Sequence, residues 1–451
     1  EAEEGEEEGE YDWADAFVYE PRRRCVGLAT MHAALLASQL GRHAEAEGAI
    51  RSFGFRWRLS PCVWRAARVP ARKVPPPAGS GLRDGCPVRV YPDAVPRETC
   101  EQLRRAFAPG AAYWSETRYA SASAEKRYFT WYVDLASPPS PHEDVVTRLV
   151  RRLAPLAGEL AGEVAPQSAE WWVHSRGAGR GVGHELHYDV EEGALEAGGE
   201  VLHPLVSSVV YLSDAGDPTL VIDETLGGQA GSRAYLVHPA SRSFLTFKGD
   251  RLHGVLPGAF NGGPPCGAEA PGRGSGGGAY GAAGRGCGGG GAARSRASRA
   301  DRTRSGRGRG RATAKGGGGQ SIAEQRLVLL VAWYAQPTRG AARRSRLSAQ
   351  SSVPRVTRSQ TWPALLQPPP RPPATATEPV DAPPTPFTVA PVSPVWEALL
   401  SPRGGAAALT PPAALRQHFF LHSPDDVRQR LAEEHGVDGS WTTAAKKRRR
   451  E

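Results

Sequence analysis

The chain has 451 residues, with 53 glycines, 40 prolines and a formal net charge of +9. Its Gly- and Pro-rich stretches bury too little apolar surface to fold, so the packed part is much shorter than the chain. Six widely spaced cysteines (Cys25, Cys62, Cys86, Cys100, Cys266, Cys287) with no Cys-x-x-Cys pair argue against a zinc ribbon or a disulfide-dense secreted scaffold, and no apolar window is long enough to span a bilayer.

Seven glutamates in the first ten residues make 1–12 a solvated acidic tail. The sequence opens on Glu1, which leaves a targeting segment open. Residues 13–80 read as a helical N-terminal region, with a helix from Leu28 to Arg51. Leu40-Gly41-Arg42 followed by Ala and Glu looks like half a tetratricopeptide hairpin. One such repeat cannot bury its own face, so a helical cap packed on the main domain is the more ordinary reading.

The next segments read as strands. Glu170 to His174 is the first, followed by a Gly/Arg-rich turn from Gly177 to Gly183. His187-Tyr188-Asp189 comes next, then a β-rich run from Ser207 to Leu212 that is bounded by the turn Asp214 to Pro218. Thr219 to Ile222 is a short strand, and Ser243 to Asp250 another that delivers His253 just past its end. Arg326 to Tyr334 is the most apolar run in the protein. Short strands at regular spacing with polar turns argue for an all-β sandwich or jelly roll.

His187 and Asp189 are two apart, so on a strand both side chains leave one face while Leu186 and Tyr188 point the other way. With His253 they make two imidazoles and one carboxylate. Such a set occupies one face of an Fe(II) ion and leaves the opposite positions open. Standing alone, His-x-Asp is a weak signal; the surrounding strands lift it.

The order of these words resembles the Fe(II)- and 2-oxoglutarate-dependent dioxygenases, particularly the prolyl 4-hydroxylase-like branch. Val88 to Cys100 looks like the strand and helix start that open that catalytic domain. Val209-Val210-Tyr211-Leu212-Ser213-Asp214, through Asp217-Pro218-Thr219, looks like the family's Tyr-Leu-x-Asp strand and its turn, and His253-Gly254 like the distal ligand and its glycine. The resemblance covers roughly residues 86 to 337. It implies a double-stranded β-helix, the jelly-roll or cupin-like fold, with His187, Asp189 and His253 as iron ligands. It also implies Arg326 on the last strand as the anchor for the distal carboxylate of 2-oxoglutarate, which a planar guanidinium matches. Alternation puts Arg326 on one face with Val328, Leu330 and Ala332, a costly place for a charge without an anionic partner. Tyr211 and His174 are further candidates for co-substrate contact, although Tyr211, Trp171, Trp172 and Trp333 are more often barrel core. His184 and His203 read as ordinary exposed or hydrogen-bonding histidines. The implied reaction turns 2-oxoglutarate into succinate and carbon dioxide while hydroxylating an acceptor, with ascorbate as a rescuing reductant. Family members that halogenate lack the carboxylate ligand, so Asp189 favours hydroxylation.

Two features depart from the pattern. His253 and Arg326 lie 326 − 253 = 73 positions apart, and removing 261–320 restores a short connection of 13. Long loops are tolerable because closure entropy grows only logarithmically. In addition, Trp172, His174 and Arg326 stand where prolyl 4-hydroxylases commonly use a tyrosine and a lysine, which puts the substrate class in doubt more than the co-substrate.

The remaining segments add charge but little chemistry. Gly262 to Gln320 holds ten arginines and Lys315 against Glu269 and Asp301, or 11 − 2 = +9, so the rest of the chain sums to zero. This Arg/Gly insert could track nucleic-acid phosphates, but with Tyr280 as its lone aromatic it reads as a biased surface loop. Residues 338–390 form a Pro/Ser/Thr-rich linker. In 391–440, Val395 to Leu399 and Phe419-Phe420-Leu421 are apolar islands that could dock on the core, and Val427 to Glu434 is a short helix capped by Ser423 to Asp426. Residues 441–451 are a basic tail, compatible with nuclear import and equally with a solubilising role.

The expected protein is therefore an intracellular oxygenase, cytoplasmic or nuclear, acting on a protein side chain or a small metabolite and not on a membrane. Two other classes stay open. One is a non-catalytic cupin-like metal-binding module; the other is a nucleic-acid-associated adaptor that uses the insert.

Overall fold

The computed structural model describes residues 21–68, 85–117, 130–177, 183–191, 194, 201–226, 231–256, 325–338, 359–368, 384–399 and 419–421. The acidic tail, the 261–320 insert, most of the 338–390 linker, the Val427 to Glu434 helix and the basic tail lie outside them. Residues 262–319 divide from the rest as a separate unit.

The N-terminal elements are α1 (Pro21–Leu40), α2 (His43–Ser52), β1 (Trp57–Leu59) and α3 (Pro61–Arg68). Then come β2 (Val88–Tyr91), α4 (Arg97–Ala106), α5 (Ala112–Glu116), β3 (Trp131–Asp134) and α6 (Val145–Ala161). A run of strands follows: β4 (Ser168–Gly177), β5 (His184–His187), β6 (Val206–Tyr211), β7 (Thr219–Thr225), β8 (Ala234–Val237), β9 (Phe244–Lys248), β10 (Arg251–Val255) and β11 (Gln325–Tyr334). Short pieces close the order: α7 (Trp362–Leu365), β12 (Trp396–Ala398) and β13 (Phe420–Leu421).

The strands form a double-stranded β-helix of two antiparallel sheets. The larger has the order β2-β9-β6-β11-β4-β3 and the smaller β5-β10-β7-β8. Three apolar clusters show why. Val209, Tyr211, Val221, Tyr235, Leu245, Phe247 and Val328 fill the space between the sheets. Leu327, Leu329, Val331 and Trp333, the alternate residues of β11, face outward into the cluster that also holds the buried stripe of α6. Both faces of β11 are thus covered, which is why it reads as an unbroken apolar run rather than an alternation.

The outer helix α6 is absent from the sequence expectations. Its apolar positions Val145, Val146, Leu149, Val150, Leu153, Leu156, Ala157 and Leu160 are buried along one stripe. Asp144 caps it, accepting from the amides of Val146 and Thr147 at 2.8 and 3.0 Å. A third cluster joins the outer face of the smaller sheet, through Leu186, Leu220, Ile222, Leu236 and Leu252, to the N-terminal helices.

Four expectations change in detail. The N-terminal helix is two helices, because Gly41 turns the chain at φ +76°. It is joined there by strand β1, which pairs with both C-terminal islands, β12 and β13. His253 does not follow the Ser243 to Asp250 strand; it lies inside β10, after a turn at Gly249-Asp250. A Cβ at Gly249 would come within 2.2 Å of the Pro204 carbonyl oxygen, so only glycine fits. Finally, the end of the expected linker is docked. Phe387 bridges to Val90 on β2 and Val392 to Ala234 on β8, covering one edge of each sheet.

Trp333 tests the outer packing. Its ring is fully buried and its indole N–H donates to Ser208 Oγ at 2.8 Å. Trp333→Ala is expected to cost about 3–5 kcal/mol in a denaturant melt. Leu365→Ala, at an exposed site, is expected to cost less than about 0.5 kcal/mol.

Candidate metal centre

Strand pairing builds this site. In the β5–β10 ladder His187 and His253 are direct partners, which puts both imidazoles on the inner face with ring centroids 4.3 Å apart. Asp189 follows just past the end of β5, while Leu186 and Tyr188 turn outward into the cluster beneath the N-terminal helices. Gly254 lets the two strands approach; a Cβ there would sit 2.8 Å from the His184 carbonyl oxygen.

The Nε2 atoms of His187 and His253 lie 3.7 and 3.6 Å from the two oxygens of Asp189. One ligand atom from each residue falls within 4.8 Å of the others. In each imidazole Nδ1 faces a backbone carbonyl: Glu185 for His187 at 2.8 Å and Arg251 for His253 at 2.9 Å. A carbonyl only accepts, so Nδ1 carries the proton and the Nε2 lone pair turns toward the centre. The carboxylate is held from the opposite sheet, where Ser207 Oγ donates to Asp189 Oδ2 at 2.6 Å. His203 Nδ1 fixes the Asp189 carbonyl at 2.8 Å. Bonds of ~2.0–2.2 Å to one ion need ligand atoms about 3–3.5 Å apart, and the two imidazole–carboxylate distances lie within a few tenths of an ångström of that spacing. These residues fit a divalent metal. Burial, with His253 beside it, pushes the His187 pKa below its ordinary value, and Asp189 opposes that shift. A neutral imidazole is the form a metal needs.

Arg326 enters the same interior from β11 and is buried. Its hydrogen bonds among the described residues go to neutral oxygens, the Asp217 carbonyl at 3.2 Å and Thr219 Oγ1 at 2.9 Å. Its guanidinium lies 5.7 Å from the centre of the Tyr211 ring. Burial lowers its pKa, offset in part by Tyr211 and Asp217. The Tyr211 hydroxyl is already engaged with Thr219 Oγ1 at 2.7 Å and the Val237 carbonyl at 3.3 Å, so it supports the cation and the wall. Gly216 makes room for the arginine stem, since a Cβ there would lie 2.3 Å from Arg326 Cβ.

His174 is two residues from Arg176 on β4 and pairs in register with Val328. Its ring centre lies 5.6 Å from that of His184, which in turn packs against the ligand His187. Burial first, then Arg176 and Arg326, push the His174 pKa down to about 3. Sequence reasoning missed Arg176, Ser207 and Thr219, and it treated His184 and His203 as ordinary. His203 does hydrogen-bond, to the Asp189 carbonyl, whereas His184 packs edge-on against His187 at 4.8 Å. Strand parity could have placed Arg176 and Ser207 on the inner face, but not the loop geometry of His203. Among the described residues no helix is long and apolar enough to cross a membrane.

No family model and no curated protein matches the chain. Solved structures do. A prolyl-4-hydroxylase from Pseudomonas putida is similar at 12% identity over 55% of this chain and 85% of that one, with a TM-score of 0.26. SnoK, a non-haem α-ketoglutarate-dependent carbocyclase from nogalamycin biosynthesis, is similar at 9% identity over 55% and 79%, with a TM-score of 0.26. HygX from Streptomyces hygroscopicus, solved with nickel and 2-oxoglutarate bound, is similar at 16% identity over 40% and 78%, with a TM-score of 0.22.

Two outcomes follow from this geometry. Ser207→Ala releases one Asp189 oxygen and is expected to weaken metal binding about 10–100-fold in a metal titration. His174 binds no proton in the folded protein until far below the ordinary histidine pKa, so the unfolded state holds more protons as pH falls below about 6.5. The metal-free protein is therefore expected to lose stability on acidification, and His174→Gln to remove up to about 1.4 kcal/mol per pH unit of that slope between pH 6 and 4. Urea midpoints measured across that range check the sign.

Proposed function

We propose that the chain is an Fe(II)- and 2-oxoglutarate-dependent dioxygenase that hydroxylates a protein side chain or a small metabolite. The observation that carries the proposal is Arg326. A guanidinium buried in the same interior as a two-histidine, one-carboxylate cluster, whose hydrogen bonds among the described residues go to neutral oxygens, suits an anion that also reaches the metal.

In this reading His187, Asp189 and His253 hold Fe(II). The bound ion supplies dioxygen activation at the positions that the three residues leave open. Arg326 takes the distal carboxylate of 2-oxoglutarate, with Thr219 and the Tyr211 ring fixing the fork. Ser207 and His203 keep Asp189 aimed. Val209, Leu245, Phe247 and Val328 exclude water from the interior, which strengthens the charge pairing. Ascorbate would act as a reductant that restores the ferrous form.

Succinate formation tests this directly. Purified protein with Fe(II), ascorbate and 2-oxoglutarate is expected to release succinate, even without an acceptor, and His187→Ala to abolish it. Arg326→Met is expected to raise the KM for 2-oxoglutarate about 10–100-fold, the loss of a charge-assisted pair. Succinate release that is indifferent to His187 would sink the proposal.

A further inference from the structure

Four imidazoles stand in a row in the sandwich interior. Ring centres step from His174 to His184 at 5.6 Å, to His187 at 4.8 Å and to His253 at 4.3 Å. Only the last two join the ligand cluster with Asp189. A further histidine on the ion would give four protein ligands, the signature of a closed structural site, whereas a reactive site keeps a position open. Something has to keep His184, the ring next in the row, off the ion.

Arg176 does this by hydrogen bonding. Its Nη2 lies 2.7 Å from His184 Nδ1. A guanidinium donates and never accepts, so Nδ1 presents its lone pair to Arg176 and the ring proton sits on Nε2. That tautomer is the reverse of the one in His187 and His253, whose Nδ1 atoms face carbonyl oxygens. Neither nitrogen of His184 is then available to a metal: one lone pair is engaged by a cation and the other nitrogen is protonated. Arg176 is itself fixed, donating through Nη1 to the Gly183 carbonyl at 2.5 Å. Its strand position is set by the β4–β11 ladder, where it lies opposite Arg326.

We propose that Arg176 is a positioning residue that holds His184 in the non-ligating tautomer, keeping the metal centre at three protein ligands and open to guests. The proposal rests on the metal reading above and extends it to the coordination number. Without Arg176, His184 is free to move its proton to Nδ1 and offer Nε2 as a third imidazole. Lysine in place of Arg176 still donates, so it preserves the tautomer.

The test counts imidazoles on Cu(II) loaded into the full chain, by the nitrogen couplings in frozen-solution electron paramagnetic resonance. Wild type and Arg176→Lys are expected to show two. Arg176→Met is expected to show three, and Arg176→Met with His184→Gln to return to two. His184→Gln alone is expected to leave the count at two. Three imidazoles in the wild type, a drop caused by His184→Gln alone, or a folded Arg176→Met protein that still shows two overturns the proposal. Should Arg176→Met fail to fold, the wild type and His184→Gln decide, since a count of two in both excludes His184 from the ion. Absence of bound copper in the wild type is a different failure, because it removes the metal reading itself and this proposal with it.

Discussion

A positive charge buried in an apolar interior is the constraint around which the inner sandwich is arranged. Arg326 sits at the start of the most apolar strand in the protein; among the described residues its hydrogen bonds go to neutral oxygens, and Asp217 offsets the cost of its burial only in part. Burying such a charge with only partial compensation is costly. The fold nevertheless makes room for it. Gly216 gives up its side chain to the arginine stem at φ +105°, and Tyr211 places its ring under the guanidinium. Structure that accepts such a cost at one point, with supporting residues from two strands and a turn, is the pattern of a binding site.

The cluster of His187, Asp189 and His253 depends on the same sandwich from the other side. His187 and His253 come from adjacent strands of the smaller sheet, while the serine that aims Asp189 comes from β6 of the larger one. Metal binding therefore bears on both sheets, and their separation sets the distance between Arg326 and the cluster. Occupancy should couple to stability, since an ion that binds only the folded arrangement stabilises it. The N-terminal helices, the strap at 384–392 and the small sheet of β12, β1 and β13 cover one outer face of this core and one edge of each sheet.

Much of this was readable from residues in line. His187 and Asp189 two apart, His253 before a glycine and Arg326 opening an apolar strand could each be picked out from the sequence alone, although Asp189 lies just past its strand and His253 inside a strand of its own. The sheets were legible for the same reason, since each strand carries its own run of β-branched and aromatic residues. What was not legible depends on distant partners. Arg176 and His184 differ by eight positions, yet their tautomer logic appears only when β4 and β5 are brought together. Ser207 meets Asp189 across the gap between two sheets. β1 finds its partners β12 and β13 more than 300 positions along the chain, a separation no local pattern encodes. The α6 stripe is periodic, but Pro155 lies inside it and weakens the local helix signal.

The central claim is that one interior holds a metal and the far end of a dicarboxylate at once. Calorimetric titration of metal-loaded protein with 2-oxoglutarate and with pyruvate, an oxo acid without the distal carboxylate, tests it most directly. The account predicts that 2-oxoglutarate binds about 10–100-fold tighter than pyruvate, the value of one charge-assisted pair. It also predicts that Arg326→Met erases the difference while leaving pyruvate binding unchanged. Equal affinity for the two acids in the wild-type protein would contradict it.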